Sequence, residues 1–204
     1  MEQLAIAIPD QIENLSLPNP ELLQFYKDVE NRVIWIEGEI DESLFESSKL
    51  IMNWNKEDKE IAPENRKPIK IFINSPGGTL EDTLSFVGLV GISKTPIITV
   101  NMGIAMSAGL LILLAGHERY CLKRSQALIH SGSGGIQGTY EQIEENQKAY
   151  KKMVEDMGVY IRSKTNIDTK LFNKNKAKDW YLTDSEQVEL GVVSAVVEDI
   201  YSIL

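Results

Sequence analysis

The chain predicts an α/β fold with a largely parallel sheet, and three observations carry that expectation. From Arg32 onward, short apolar runs of strand length alternate with stretches of helical periodicity. Two of the strand-to-helix joints are turns of small residues, Ser75-Pro76-Gly77-Gly78 and Met102-Gly103-Ile104-Ala105-Met106-Ser107-Ala108-Gly109. Repeated strand-helix steps imply right-handed crossovers, which keep the strands parallel and cover the sheet with helices.

Taken in order, Arg32 to Glu39 predicts the first strand, and Asp41 is placed to cap a helix running through Leu44, Leu50 and Trp54. Lys56 to Arg66 is polar and contains proline, which predicts a surface loop. Pro68 to Ile73 reads as the second strand, and the Ser75-Pro76-Gly77-Gly78 turn leads to a helix through Leu80, Leu84, Val87 and Val90. Ile97 to Val100 is a buried strand and Leu110 to Leu114 a buried helix, so Ser107 falls at the helix N-terminus. A further apolar strand, Ala127-Leu128-Ile129, ends on His130 and precedes the run Ser131-Gly132-Ser133-Gly134-Gly135.

Thr139-Tyr140-Glu141-Gln142 is a capping box that opens the longest helix, residues 139–164, with an expected length of about 39 Å. Ile143, Tyr150, Met153, Val154, Met157, Tyr160 and Ile161 form its apolar stripe. The C-terminal part is expected to pack on its own sheet, whereas the full length exceeds what one domain needs. A second box, Thr183-Asp184-Ser185-Glu186, opens a short helix that Gly191 ends, and Val192 to Val197 reads as the last strand.

With 204 residues, 43% of them hydrophobic, the chain suits one well-buried domain spanning 1–204. Its one cysteine, Cys121, sits between Tyr120 and Leu122 and reads as an inert core thiol, which points to a reducing, cytoplasmic setting. A net charge of −9 argues against nucleic acid or an anionic membrane as partner, and the short cluster of Lys148, Lys151 and Lys152 reads as a solvated helix face. The apolar stretch 97–116 has the length of a membrane span, but Asn101, Gly103, Ser107 and Gly109 break it into strand, turn and helix. The N-terminus lacks the basic and apolar pattern of a secretory signal.

A serine at a helix N-terminus lies where unpaired N–H groups favour developing negative charge, and it needs a base to become nucleophilic. The chain has two histidines. His130 ends a strand, where open parallel sheets gather their chemistry, whereas His117 lies in Gly116-His117-Glu118-Arg119, an expected exposed turn. Taken singly, a helix-capping serine and a hydrogen-bonded strand-end histidine are ordinary structural residues.

The ordered series changes that balance. Asn31 to Ile40, Ile73-Asn74-Ser75-Pro76-Gly77-Gly78, Gly103-Ile104-Ala105-Met106-Ser107 and Leu128-Ile129-His130, over about the last 170 residues, resembles the ClpP family of proteolytic subunits of the Clp protease. The resemblance implies a ClpP/crotonase-like spiral of ββα units, with Ser107 as nucleophile and His130 as general base. It also implies oxyanion-hole N–H groups from Gly78 and Ala108. The family's triad aspartate falls on Asn175, counted back from Trp180-Tyr181-Leu182-Thr183, with Asp168 and Asp179 as possible substitutes. An asparagine can orient the histidine but carries no charge to stabilise its imidazolium, so a weak or conditional hydrolase is expected. Ser131-Gly132 replaces the family's Gln-Pro, and Ala108 replaces its methionine.

By the same likeness the helix over 139–164 is a handle between opposed rings, and residues 1–20 form a divergent N-terminal axial segment. Two stacked heptameric rings are implied, homomeric or mixed with a paralogue. An ATP-driven unfoldase of the ClpX, ClpA or ClpC type would feed unfolded polypeptide, since the chain has no phosphate-binding loop of its own. No cofactor or metal is implied. Two other readings stand beside this one. A non-catalytic ring subunit regulating an active paralogue is favoured by Asn175. A crotonase-like acyl-CoA enzyme would have no reason to keep Ser107 and His130 in these motifs.

Overall fold

A computed structural model describes residues 19–132, 135 and 137–203. The expected axial segment therefore lies outside the described residues, except for Asn19 and Pro20. These two open a helix that the sequence reading did not foresee, α1 (Pro20–Asn31): the Asn19 side chain accepts from the Glu21 N–H, and Pro20 takes a first-turn position where no N–H is needed. Arg32 ends α1 in the left-handed conformation and leads into β1 (Val33–Ile40).

The parallel sheet grows from β1 to β2 (Ile69–Gly78) and β3 (Ile97–Met106). Beyond β3 it forks. The first half of β3 pairs with β4 (Glu118–Leu122), which pairs with β7 (Ala195–Val197), while Ile104 to Met106 pair with β5 (Gln126–Ile129). Among the described residues, only β5 with β6 (Trp180–Leu182) is antiparallel. The fork parts the C-terminal half of β3 from β4 and puts β5 beside it instead. At that divergence Asn101 is fully buried, its amide donating to the Gln126 carbonyl and to Gln187 Oε1.

The helices α2 (Leu44–Glu57), α3 (Leu80–Ile92) and α4 (Ala108–Ala115) cover one face. Every residue of α4 is buried, as its unbroken apolar sequence requires. The opposite face holds a smaller cluster of Phe72, Val100 and Ile203. Asp41 acts just ahead of α2 by accepting from the N–H of Ser43, the residue that precedes the helix, while Ser43 makes no side-chain cap.

The expected loop at Lys56 to Arg66 is instead the end of α2 followed by two 3₁₀ turns, Asp58–Glu60 and Pro63–Asn65. A long-range contact orders it. Arg32 donates two hydrogen bonds to the buried Asp58 carboxylate at 2.7 and 2.8 Å, and Thr95 Oγ1 donates a third at 2.7 Å. The guanidinium beside Asp58 lowers that carboxyl below its ordinary value.

The long helix α5 (Tyr140–Lys164) begins with the foreseen capping box. Its N-terminal half is exposed at every residue from Tyr140 to Lys152, and its C-terminal half buries Met157, Gly158 and Ile161 in the core. After α5 come α6 (Thr169–Asn175), capped by Asp168, then β6, and α7 (Asp184–Glu189) with the second foreseen box. The last strand is shorter than expected because Val192 and Val193 are buried in the turn before it. Among the described residues no helix is long and apolar enough to cross a membrane.

Candidate active site

Ser107 occupies a strained joint. It follows β3 directly and precedes α4 with φ 54° and ψ −118°, a conformation that costs a non-glycine residue about 1–3 kcal/mol. The surrounding structure holds it there. The Ser107 N–H donates to the Leu128 carbonyl at 3.0 Å, and its own carbonyl accepts the first bonds of α4. The sharp turn lifts the hydroxyl out of the strand line toward the end of β5.

There His130 Nε2 lies 2.6 Å from Ser107 Oγ. That is hydrogen-bond distance between a hydroxyl and the nitrogen able to take its proton. His117 has a different task. Its Nδ1 accepts from the Ile97 N–H at 2.9 Å, and its own N–H donates to the Ile97 carbonyl, so it fastens the strand β4 to the start of β3. Burial, with a smaller effect of Lys164, lowers its pKa and keeps the acceptor nitrogen free. The residues expected to form an exposed turn thus lead into a paired strand.

Gly77 and Gly78 place backbone against the serine. A Cβ on Gly77, at φ 108°, would lie 2.8 Å from Ser107 Cβ, and one on Gly78 would lie 2.0 Å from the Ile40 carbonyl oxygen. Only glycine permits either approach. The Gly77 N–H is already taken by Ser75 Oγ at 3.1 Å, and Ser75 in turn donates to the Gly38 carbonyl at 2.6 Å. Gly78 and Ala108 both line the cleft in front of Ser107, and the Ala108 N–H belongs to the first turn of α4, whose donors have no partner within the helix.

The cleft has a volume of about 850 Å³. One wall is the glycine turn with Glu39 and Glu81, the floor includes Leu128, Met153 and Met157, and the exposed half of α5 overhangs it with Asn146 and Tyr150. Ser107 and His130 both line this cleft, among polar and apolar neighbours. Part of the glycine-rich run after His130 (Ser133, Gly134) lies outside the described residues.

Asn175, the expected third member, is the last residue of α6 and is buried. Its Nδ2 donates to the Leu171 carbonyl at 3.0 Å, and no hydrogen bond joins it to His130 among the described contacts. The Asp179 carboxylate stands 3.8 Å from His130 Nδ1. Asp168 is occupied elsewhere, accepting from the Leu171 N–H as the cap of α6. Ser131 Oγ donates to the Lys176 carbonyl, which ties the segment after His130 to the turn after α6. Cys121 is buried, and burial raises its pKa, so it takes no part.

Known proteins of one family resemble the chain in sequence and in fold. The family profile described as Clp protease matches residues 21–199. The ATP-dependent Clp protease proteolytic subunit 2 of Treponema denticola is 31% identical over 175 residues, covering 85% of each chain. Proteolytic subunit 1 of Bacillus cereus is 29% identical over 195 residues, covering 94% of this chain and 98% of that protein. Among solved structures, an asparagine-to-aspartate mutant of ClpP1 from Listeria monocytogenes superposes with a TM-score of 0.75 at 27% identity, over 89% of this chain and 99% of that one.

Proposed function

Since the chain belongs to the Clp protease family, we propose that it is a serine endopeptidase subunit of a self-compartmentalised protein-degradation complex, with Ser107 as nucleophile and His130 as general base. The observation that supports it most directly is the 2.6 Å contact between His130 Nε2 and Ser107 Oγ, held at a strained joint on the cleft. The Ser107 proton passes to Nε2 as Oγ attacks the peptide carbonyl carbon. The N–H groups of Gly78 and Ala108 hold the oxyanion, a contribution of about 3–4 kcal/mol per donor in comparable sites. The tetrahedral species collapses, His130 gives its proton to the leaving amine, and a water deprotonated by the same nitrogen then releases the acyl group.

Asn175 takes the third position. With its Nδ2 spent on Leu171, its Oδ1 is the atom that would accept from His130 Nδ1, which requires α6 or the ring to move from the arrangement described. A neutral acceptor orients without stabilising the imidazolium, so activity is weak or conditional. The exposed half of α5 serves as the contact between two stacked heptameric rings, and an unfoldase of the ClpX, ClpA or ClpC type delivers unfolded chains in the cytoplasm. A reading as a non-catalytic ring subunit beside an active paralogue draws on one observation, the engagement of Asn175 away from His130.

A serine-directed fluorophosphonate tests the assignment. It is expected to label Ser107 alone in the wild-type protein and nothing in Ser107→Ala, while the particle size stays the same. Labelling of another serine removes the nucleophile assignment. Labelling that appears only after mixing with a paralogue favours the conditional reading, and none under any condition favours the regulatory one.

A further inference from the structure

The glycine turn that faces Ser107 is held by a buried hydroxyl. Ser75 is fully buried on β2, just ahead of Gly77 and Gly78. Its Oγ accepts from the Gly77 N–H at 3.1 Å and donates to the Gly38 carbonyl at 2.6 Å, so its proton and a lone pair are both in use. Gly38 has φ 70° and lies where the register of β1 on β2 shifts, between Glu37 and Glu39. An irregularity of this kind re-aims one peptide of an otherwise regular ladder. Past it, β1 grips the turn again: the Ile40 carbonyl accepts from the Thr79 N–H at 2.8 Å and from Thr79 Oγ1 at 3.2 Å. Gly78 therefore stands between two fixed points, Gly77 on the Ser75 hydroxyl and Thr79 on Ile40.

The same residue touches α4. A Cβ on Gly109 would lie 3.3 Å from the Ser75 carbonyl oxygen and 3.4 Å from its Cβ, and one on Gly77 would lie 3.2 Å from the Ala108 nitrogen. The glycine turn and the first turn of α4 thus meet at Ser75. We propose that Ser75 is a positioning residue for the oxyanion site: its hydroxyl fixes the glycine turn to β1 and so sets the Gly78 N–H against the Ala108 N–H. The inference rests on the reading of Ser107 as nucleophile with Gly78 and Ala108 as donors.

Burial gives the hydroxyl its leverage. Gly77 is buried, so when Ser75 Oγ is removed no solvent replaces it as acceptor for the Gly77 N–H. The turn then rotates to find that N–H another partner, and the adjoining Gly78 N–H leaves its place. A hydrogen-bond donor acts only at close range and in line, so a displacement of about 1 Å removes most of its effect on the transition state. Substrate contacts elsewhere in the cleft do not depend on that N–H, and His130 shares no hydrogen bond with Ser75.

The test uses the full assembled protein under conditions in which the fluorophosphonate labels wild-type Ser107. It reads peptide kcat and KM beside the affinity of a peptide boronic acid, whose tetrahedral adduct with the serine places an oxygen in the oxyanion site. Ser75→Ala is expected to lower kcat about ten- to a hundredfold with KM unchanged, and to weaken the boronic acid by a similar factor. The acid limb of the pH–rate profile should stay where it is in the wild type, because His130 is untouched. Ser75→Cys has nearly the same shape but a weak donor and acceptor, so its loss should be smaller, and it supplies the reading if Ser75→Ala does not assemble. Wild-type kcat in either variant, or a fall in kcat without a matching loss of boronic-acid affinity, means that the hydroxyl serves the fold alone. Either result overturns the proposal while leaving Ser107 as nucleophile. Absence of Ser107 labelling in the wild type, alone or mixed with a paralogue, overturns both.

Discussion

The two sides of the candidate site are built differently. On the nucleophile's side, Ser107 is clamped between a fully buried helix, the Leu128 carbonyl and the Gly77 backbone, and its strained φ persists because the elements that hold it are core. On the base's side, His130 lies past the end of β5, its facing carboxylate is largely in water and its asparagine is turned into α6. A hydroxyl and an oxyanion site must be held to a fraction of an ångström, which needs buried, over-determined backbone. The charge behind an imidazole acts over several ångströms and can be adjusted from the surface. The rigid half thus sets the reaction class, and the soft half sets its rate.

The largest test of that contrast is Gly77→Ala. It forces a Cβ to within 2.8 Å of Ser107 Cβ at a positive φ, so the glycine turn must retreat and take Gly78 with it. A fall in kcat of at least about a hundredfold is expected, the size of losing one oxyanion donor. Single-turnover acylation measures it, and a change below about tenfold would mean that the nucleophile's side is no more rigid than the other.

Asn175→Asp addresses the soft half and should act in the opposite direction. A carboxylate at the end of α6 adds charge behind His130 and raises kcat about tenfold with little change in KM. Combined with Asp179→Asn it should give less than the product of the two effects seen singly, since both act on one ring. Strict multiplication in the cycle would mean that the two residues do not share His130.

The smallest expected effect concerns α5. Tyr140→Glu with Ile143→Glu puts two charges on the exposed half, at positions that do not line the cleft. Analytical ultracentrifugation should show smaller particles, and peptidase activity should fall severalfold. An unchanged particle removes the handle from the assembly proposal.

Ser107 and His130 were legible in the sequence because each lies within a short motif whose backbone does the positioning. Their surroundings on the acid side were not. That Asn175 ends a helix follows from the Asp168 cap and from the packing of Phe172 against the core, and that Asp179 faces His130 follows from a register that only the folded sheet reveals. The helix α1 precedes Arg32, where the alternating pattern begins, and its Pro20 suits a first turn. The turns at 58–65 depend on Arg32, which lies 26 residues before Asp58. A pattern confined to a window cannot contain that contact. Strand β4 is edged by Glu118 and Arg119, whose polarity conceals it.

The contrast within α5 has a consequence for hydrogen exchange. Its C-terminal half, anchored by Met157 and Ile161, should exchange its amides only when the whole domain opens. None of the thirteen residues from Tyr140 to Lys152 is buried, so in an isolated subunit their protection factors should decline steadily toward Thr139. Asn146 and Tyr150, which wall the cleft, lie on that fraying stretch. In the proposed ring assembly the lifetime of the cleft wall becomes a property of the oligomer, and the protection gradient along one helix would report, residue by residue, how far assembly has proceeded.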